Sequence, residues 1–161
     1  MKRTILFAIV CCLMQTAQAA EKTEAVPEYT ITCAGIGIEG TWLVEVAIMQ
    51  KKTGAGVEEH LRAAALHGVL FRGVAASAKC GGYRPIVRQD GVEEKNRDFF
   101  ASLFGDGAKT LRYADVVNGS VTVVRTGKKD FRITATVSVK KDDLRHLLED
   151  NKIIEGMGDM F

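Results

Sequence analysis

The chain has no surplus of charge, no apolar run long enough to cross a bilayer, and little cysteine. Each shortage excludes something. Across 161 residues, 22 lysines and arginines stand against 20 aspartates and glutamates. Two of the basic residues, Lys2 and Arg3, lie in an N-terminal segment without acidic residues, so the remainder is neutral with histidine counted as uncharged. A balanced chain has no strong field to steer it onto nucleic acid or an anionic membrane. The longest uncharged apolar stretch, Ile5 to Met14, falls well short of the ~20 residues needed to span hydrocarbon. No linker or internal repeat interrupts the sequence from Tyr29 onward, which predicts one domain large enough to bury a core.

What the first residues do contain is an export address. Lys2 and Arg3 precede the apolar run, polar Gln15, Thr16 and Gln18 end it, and Ala17-Gln18-Ala19 supplies a small-x-small cleavage pattern. Residues 1–19 are therefore expected to be a signal peptide and 20–28 a flexible leader. The domain is expected to occupy 29–161, in the periplasm or outside the cell. Cys11 and Cys12 raise a lipoprotein reading, but Ile9 and Val10 stand where small residues are wanted. Of four cysteines, only Cys33 and Cys80 lie beyond the leader. In an oxidising compartment they either form a disulfide, with a stabilisation of about 4 kcal/mol on the chain-entropy model, or pack as two small buried thiols.

The domain pattern is mixed. "TWLVEVAIMQ" alternates, with Trp42, Val44, Val46 and Ile48 on one face. "YTITCAGIG" gives a partner strand carrying Tyr29, Ile31 and Cys33 inward, and glycines at 35, 37 and 40 make a hairpin turn. Val57 to His67 reads as a helix with Glu58 and Glu59 in its first turn. Gly68 is expected to stop it in a left-handed conformation, with Val69, Leu70 and Phe71 continuing as a buried strand. A second helix is expected over Glu93 to Phe104. "TLRYADVV" and "SVTVVRT" flank Asn118-Gly119, which predicts a two-residue hairpin between them. "FRITATVSV" sends Phe131, Ile133, Ala135, Val137 and Val139 inward, and Arg132, Thr134, Thr136 and Ser138 outward. Asp142 or Asp143 is expected to cap a last helix carrying Leu144, Leu147 and Leu148, with Asn151 as its stop. The fold class is α+β: a mainly antiparallel sheet of five to six strands with about three helices packed on one face.

Reactive groups are sparse. His60 and His67 are two helical turns apart, not the four residues that helical metal sites prefer, so no metal is assigned. His67 is read instead as a charge suited to a helix C-terminus, and His146 as a surface residue. Ser77 and Ser102 lack the glycine frame of a nucleophile elbow. Cys80, beside Lys79, is the best thiol nucleophile on offer, in competition with a Cys33–Cys80 bridge. The adjacent carboxylates Glu93–Glu94 and Asp142–Asp143 sit at helix starts, where they serve the dipole. The segment 75–92 is the longest without regular structure, and long loops in compact domains are often functional. It carries Lys79, Tyr83, Arg84 and Arg88, a mixture of residues common at contact surfaces.

The blocks "TWLVEVAI", "ALHGVLFRG", "DFFASLFGDG" and "TATVSVKKDDLRHLLEDNKIIEG" resemble small exported proteins of unknown function from Gram-negative gut anaerobes. No catalytic motif travels with that resemblance, so it assigns no residue a role. More remotely, an alanine-rich helix entering a strand, then "TVSV" entering a leucine-bearing helix, is similar to envelope-assembly modules. These are the small outer-membrane lipoproteins, the N-terminal domain of the flagellar T-ring assembly protein and the curli secretion lipoprotein. The chain departs from the lipoproteins in lacking a lipobox. The expectation is a non-enzymatic exported module, without cofactor, that binds an envelope protein or peptide, reaches a membrane only through that partner, and acts in assembly. Two other classes stand beside it: a small periplasmic enzyme using Cys80 or a His60 metal site, and a self-associating structural subunit.

Overall fold

The computed structural model describes residues 26–51 and 53–156. The expected signal peptide, its cleavage site, most of the leader and the tail from Met157 lie outside the described residues. Strand β1 (Tyr29–Gly35) turns into β2 (Trp42–Gln50), and helix α1 (Val57–His67) follows. A π-helical turn, Gly68–Arg72, prolongs α1. After the 74–91 segment come α2 (Val92–Lys95), α3 (Arg97–Gly105), α4 (Gly107–Tyr113), β3 (Ala114–Val116), β4 (Thr122–Arg125), β5 (Phe131–Val139) and α5 (Lys141–Asp150). The α+β expectation stands: the sheet has five strands, all antiparallel, with helices on one face. The described residues hold five helices, more than the three expected.

Alternation places the core. β2 and β5 pair along nine residues each, Trp42 against Val139 through Gln50 against Phe131. Val44, Val46 and Ile48 of β2 and Ile133, Val137 and Val139 of β5 are wholly buried, while Arg132 and Met49 reach solvent. Tyr29, Ile31 and Cys33 extend the same inner face onto β1. Against it lies α1, whose Leu61, Ala64, Ala65 and Leu66 are all fully buried. At about 25 cal/mol per Å² of apolar surface removed from water, this sheet-and-helix interior is the main favourable term in folding. The outer face, with Thr30, Thr134, Thr136 and Ser138, stays polar and partly wet.

Gly68 does not stop α1. It is right-handed, φ −61° and ψ −48°, and the chain winds on until Gly73 N–H bonds back to the Gly68 carbonyl at 2.8 Å. Close approach explains the glycine: a Cβ at position 68 would lie 2.8 Å from Ile31 Cδ1 and 3.2 Å from Tyr29 Cε2. The elbow sits instead at Gly73, with φ +76° and ψ −178°, a region essentially closed to other residues. Val69 and Leu70 are thus buried on a helical turn and form no strand.

The Asn118-Gly119 hairpin is also overturned. "TLRY" is the end of α4, whose start is capped by Asp106, its carboxylate accepting from the N–H groups of Ala108 and Lys109 at 2.9 and 3.2 Å. β3 and β4 then run in the same direction along one edge of β5, β3 against Val137–Val139 and β4 against Phe131–Thr134. Residues 117–121 bulge between them. Ser120 Oγ splints the gap, accepting from Thr136 N–H at 3.1 Å and donating to the Val117 carbonyl at 2.6 Å.

Two smaller expectations change. The second helix breaks at Asn96, whose φ of −115° is not helical; its side-chain amide donates to the Val92 carbonyl at 2.9 Å. At α5 the N-cap position is Lys140, with no side-chain cap, so neither Asp142 nor Asp143 caps it. Asn151 does close α5, its amide bonded to the Leu147 carbonyl at 2.8 Å.

Candidate functional site

The 74–92 segment is anchored to the outer edge of β1. Cys33 and Cys80 form a disulfide, with Cα atoms 5.7 Å apart, inside the 4.4–6.8 Å that a bridge allows. Cys33 N–H donates to the Ala75 carbonyl at 2.8 Å, and Ser77 Oγ donates to the Cys33 carbonyl at 2.7 Å. Val74 and Tyr83 exchange a pair of backbone bonds at 2.8 and 2.9 Å. The segment therefore covers an edge that would otherwise present unpaired backbone groups. With both sulfurs joined, Cys80 offers no thiolate.

The four residues expected to form a binding surface are not brought together. Lys79 pairs with Glu45 at 3.4 Å, both well exposed; such a pair contributes little, about 0–1 kcal/mol. Tyr83 stacks on Trp42 with ring centroids 4.5 Å apart and 9° between planes. That contact stabilises by about 0.5–1.5 kcal/mol beyond its burial, and both rings pack against the core. Arg84 and Arg88 do share a groove of about 380 Å³ with Phe71, Pro85 and Glu94. Both arginines are exposed and have no ion-pair partner among the described residues.

Beyond Glu93 and Glu94, which line both, lies a second cleft of about 410 Å³. Its floor is α3, where Phe100 is buried against Phe71 at 4.9 Å, edge to face, and stacks with Phe104 at 6.0 Å. One wall is a hydrogen-bonded chain assembled from three distant segments. Tyr29 Oη lies 2.6 Å from His67 Nδ1, and His67 Nε2 lies 3.3 Å from Glu93 Oε1. The carboxylate needs a proton on Nε2, so Nδ1 is the acceptor and the Tyr29 hydroxyl the donor. Arg72 lies over the Tyr29 ring at 4.6 Å, and Arg97 lines the same cleft.

Electrostatics favour the neutral forms of Tyr29 and His67. Burial pushes the Tyr29 phenol up to about 12, with Arg72 opposing and Glu93 assisting. Burial likewise pulls His67 below its ordinary value, and Arg72 adds to that, while Glu93 pulls it back up. His67 is therefore not a helix-end charge. It is a neutral relay, because α1 continues past it and its ring is enclosed by Phe71, Phe104 and Tyr29. A phenol held protonated is a donor, not a nucleophile.

The remaining candidates separate. His60 bonds Gln50, and exposed His146 stands 3.6 Å from Glu149 on α5. Among the described residues no three His, Cys, Asp or Glu side chains gather into a metal-binding group. No helix there is long and apolar enough to cross a membrane. Tyr29, Arg72, Glu93 and Arg97 were not foreseeable as one cleft. Their only sequence signal is conditional: if the helix runs on to 72, Phe71 falls one turn beyond His67. No protein-family model, curated protein or solved structure matches this chain.

Proposed function

We propose that this protein is an exported, non-enzymatic module that binds another protein or peptide of the cell envelope during assembly, at the groove carrying Arg84 and Arg88. The observation that carries the reading is the Cys33–Cys80 disulfide. A disulfide of this kind persists in the oxidising compartments to which an export signal leads. It occupies the thiol that an enzyme working through Cys80 would need. It also fixes the base of the segment from which Arg84 and Arg88 project, so that little ordering remains to oppose binding. Recovery of the chain from a periplasmic or culture-fluid fraction, beginning at Ala20, tests the export half. Charge reversal, Arg84→Glu with Arg88→Glu, tests the groove. The double variant should lose the crosslinked envelope partner of the wild-type protein while keeping its melting temperature. An unchanged crosslink removes the groove from the reading.

One observation favours the self-associating alternative. Among the described residues β4 pairs only with β5, and Val121, Val123 and Val124 beside its other edge are 39–52% exposed. Unprotected apolar edges are ready templates for another strand. Elution volume that shifts with concentration, and stops shifting in Val123→Lys, would favour that class.

A further inference from the structure

The cleft between Tyr29 and α3 combines features that none of the readings above uses. It carries charges of both signs, three of which have no ion-pair partner among the described residues. Arg72, Arg97 and Glu94 are exposed, line the cleft, and form no ion pair among the described residues. Glu93 is half spent: Oε1 faces His67, which leaves its second oxygen open. The floor between these charges is aromatic, built from Phe100 and Phe104.

From this juxtaposition we infer a binding site for a small zwitterion with an apolar side chain, an α-amino acid or short peptide of the leucine or phenylalanine type. A simple anion drawn to Arg72 and Arg97 would also meet Glu93 and Glu94. A simple cation drawn to the carboxylates would meet the two guanidinium groups. A molecule carrying both charges satisfies the lining in one orientation, its carboxylate on the arginines and its ammonium on Glu93 and Glu94. Arginine's planar fork suits the carboxylate. Half-buried Phe104, backed by buried Phe100, takes the apolar side chain, and the cleft volume lies at the small end of the usual ligand range of roughly 300–1,000 Å³.

The Tyr29–His67–Glu93 chain has a place in this site. Glu93 sits on α2, a helix of only four residues, and one of its oxygens lies 3.3 Å from His67 Nε2. His67 in turn is held by the phenol. The ligand thus meets a carboxylate oriented by residues of the core, a preorganised arrangement that lowers the ordering cost of binding. Tyr29 and His67 are positioning residues; Arg72, Arg97, Glu93 and Glu94 make the contacts. The inference does not depend on the envelope-partner reading, which uses the other groove.

Calorimetric titration of the full chain with L-phenylalanine, L-leucine and L-alanyl-L-phenylalanine tests it. N-acetyl-L-phenylalanine and L-phenylalaninamide, each lacking one charge, are the controls. At least one doubly charged probe should bind, and both blocked derivatives should bind at least tenfold more weakly. Arg97→Gln and Glu94→Gln, both on the surface, should each weaken binding by a similar factor and leave the melting temperature of the free protein unchanged. Binding by the dipeptide alone assigns the source as a peptide; binding by the free amino acids assigns it as a nutrient-like monomer. The inference is overturned if no probe binds at millimolar concentration. It is equally overturned if a blocked derivative binds as well as its parent, or if both variants bind like the wild type.

Discussion

Reduction of the Cys33–Cys80 bridge should lower the stability of the folded chain severely, and the size of the loss follows from the loop it closes. The two residues are 47 apart in sequence. On the chain-entropy model a closure of that length restricts the unfolded ensemble by about 4 kcal/mol. That is nearly a thousandfold in the folding equilibrium, at a tenfold change per 1.4 kcal/mol or so. For a urea slope of about 2 kcal/mol/M, the unfolding midpoint should fall by about 2 M. Reductant is the right perturbation, because alanine replacements would also open space at Cys33, which is 1% exposed. The assay is a pair of urea curves, followed by the fluorescence of Trp42, with and without reductant. Local order is a separate matter: the Cys33–Ala75, Ser77–Cys33 and Val74–Tyr83 hydrogen bonds remain when sulfur is reduced. Hydrogen exchange at the Cys33 and Tyr83 amides should then rise no more than the global loss requires. Coincident urea curves would refute the reasoning, since the bridge would then constrain nothing that the unfolded chain samples.

Three further outcomes test the packing around the clefts. Stability should fall at both ends of the pH range. His67 binds its proton less readily folded than unfolded, so stability is lost as pH drops below its ordinary value near 6.5. Tyr29 loses its proton near 10 when unfolded and at about 12 when folded, so stability also falls as pH rises through that window; melting temperature against pH for wild type and Tyr29→Phe reads both limbs. Gly73→Ala should cost more than Gly68→Ala in urea. The first forces a positive φ and sets a Cβ 2.6 Å from the Tyr83 carbonyl, at about 1–3 kcal/mol for the backbone strain alone, whereas the second keeps a helical φ and meets only side chains, Ile31 Cδ1 at 2.8 Å and Tyr29 Cε2 at 3.2 Å. Ser120→Ala should cost about 1–3 kcal/mol by leaving the Thr136 N–H unpaired, and should raise exchange at the Thr136 amide first.

The parts of the fold that local sequence dictates were legible in it. Alternation marks β2 and β5 because one face of each is buried along its whole length, and a period of two admits no other register for those residues. The helix over Val57–His67 carries its own start, with Glu58 and Glu59 in the first turn. Trouble began wherever one residue type serves two physical purposes. A glycine after a helix can supply a left-handed stop or room for a neighbour. At position 68 the deciding fact is Ile31, 37 residues earlier in the chain, and nothing near Gly68 records it. Asn118-Gly119 is a strong local turn signal, yet a hairpin also needs two strands of matching length. α4 takes the residues that would have formed the first, because Asp106 caps a helix there. That cap was readable in "FGDGAKTL" and outranks the turn signal, since it commits seven residues rather than two.

The clefts show the same limit one level up. Arg84 and Arg88 were legible as a pair because they lie on one short segment whose composition is unusual by itself. The other cleft draws Tyr29 from a strand, His67 and Arg72 from either side of a helix-to-π junction, and Glu93 and Arg97 from two helices separated by Asn96. Its assembly hangs on the extension of α1. Had Gly68 ended the helix, Arg72 would have entered a strand and would not lie over Tyr29. Five extra helical residues therefore decide whether a histidine is a terminal charge in water or a half-buried relay. This makes the π-turn the element on which the cleft depends. A substitution that unwinds it, such as Leu70→Pro, should disconnect Tyr29, His67 and Glu93 together rather than one at a time. The observable sign is joint movement of two titrations, His67 rising toward its solvent value by NMR and the Tyr29 phenol falling toward 10 by ultraviolet absorbance. Movement of one without the other would mean that the hydrogen-bonded chain does not act as a unit.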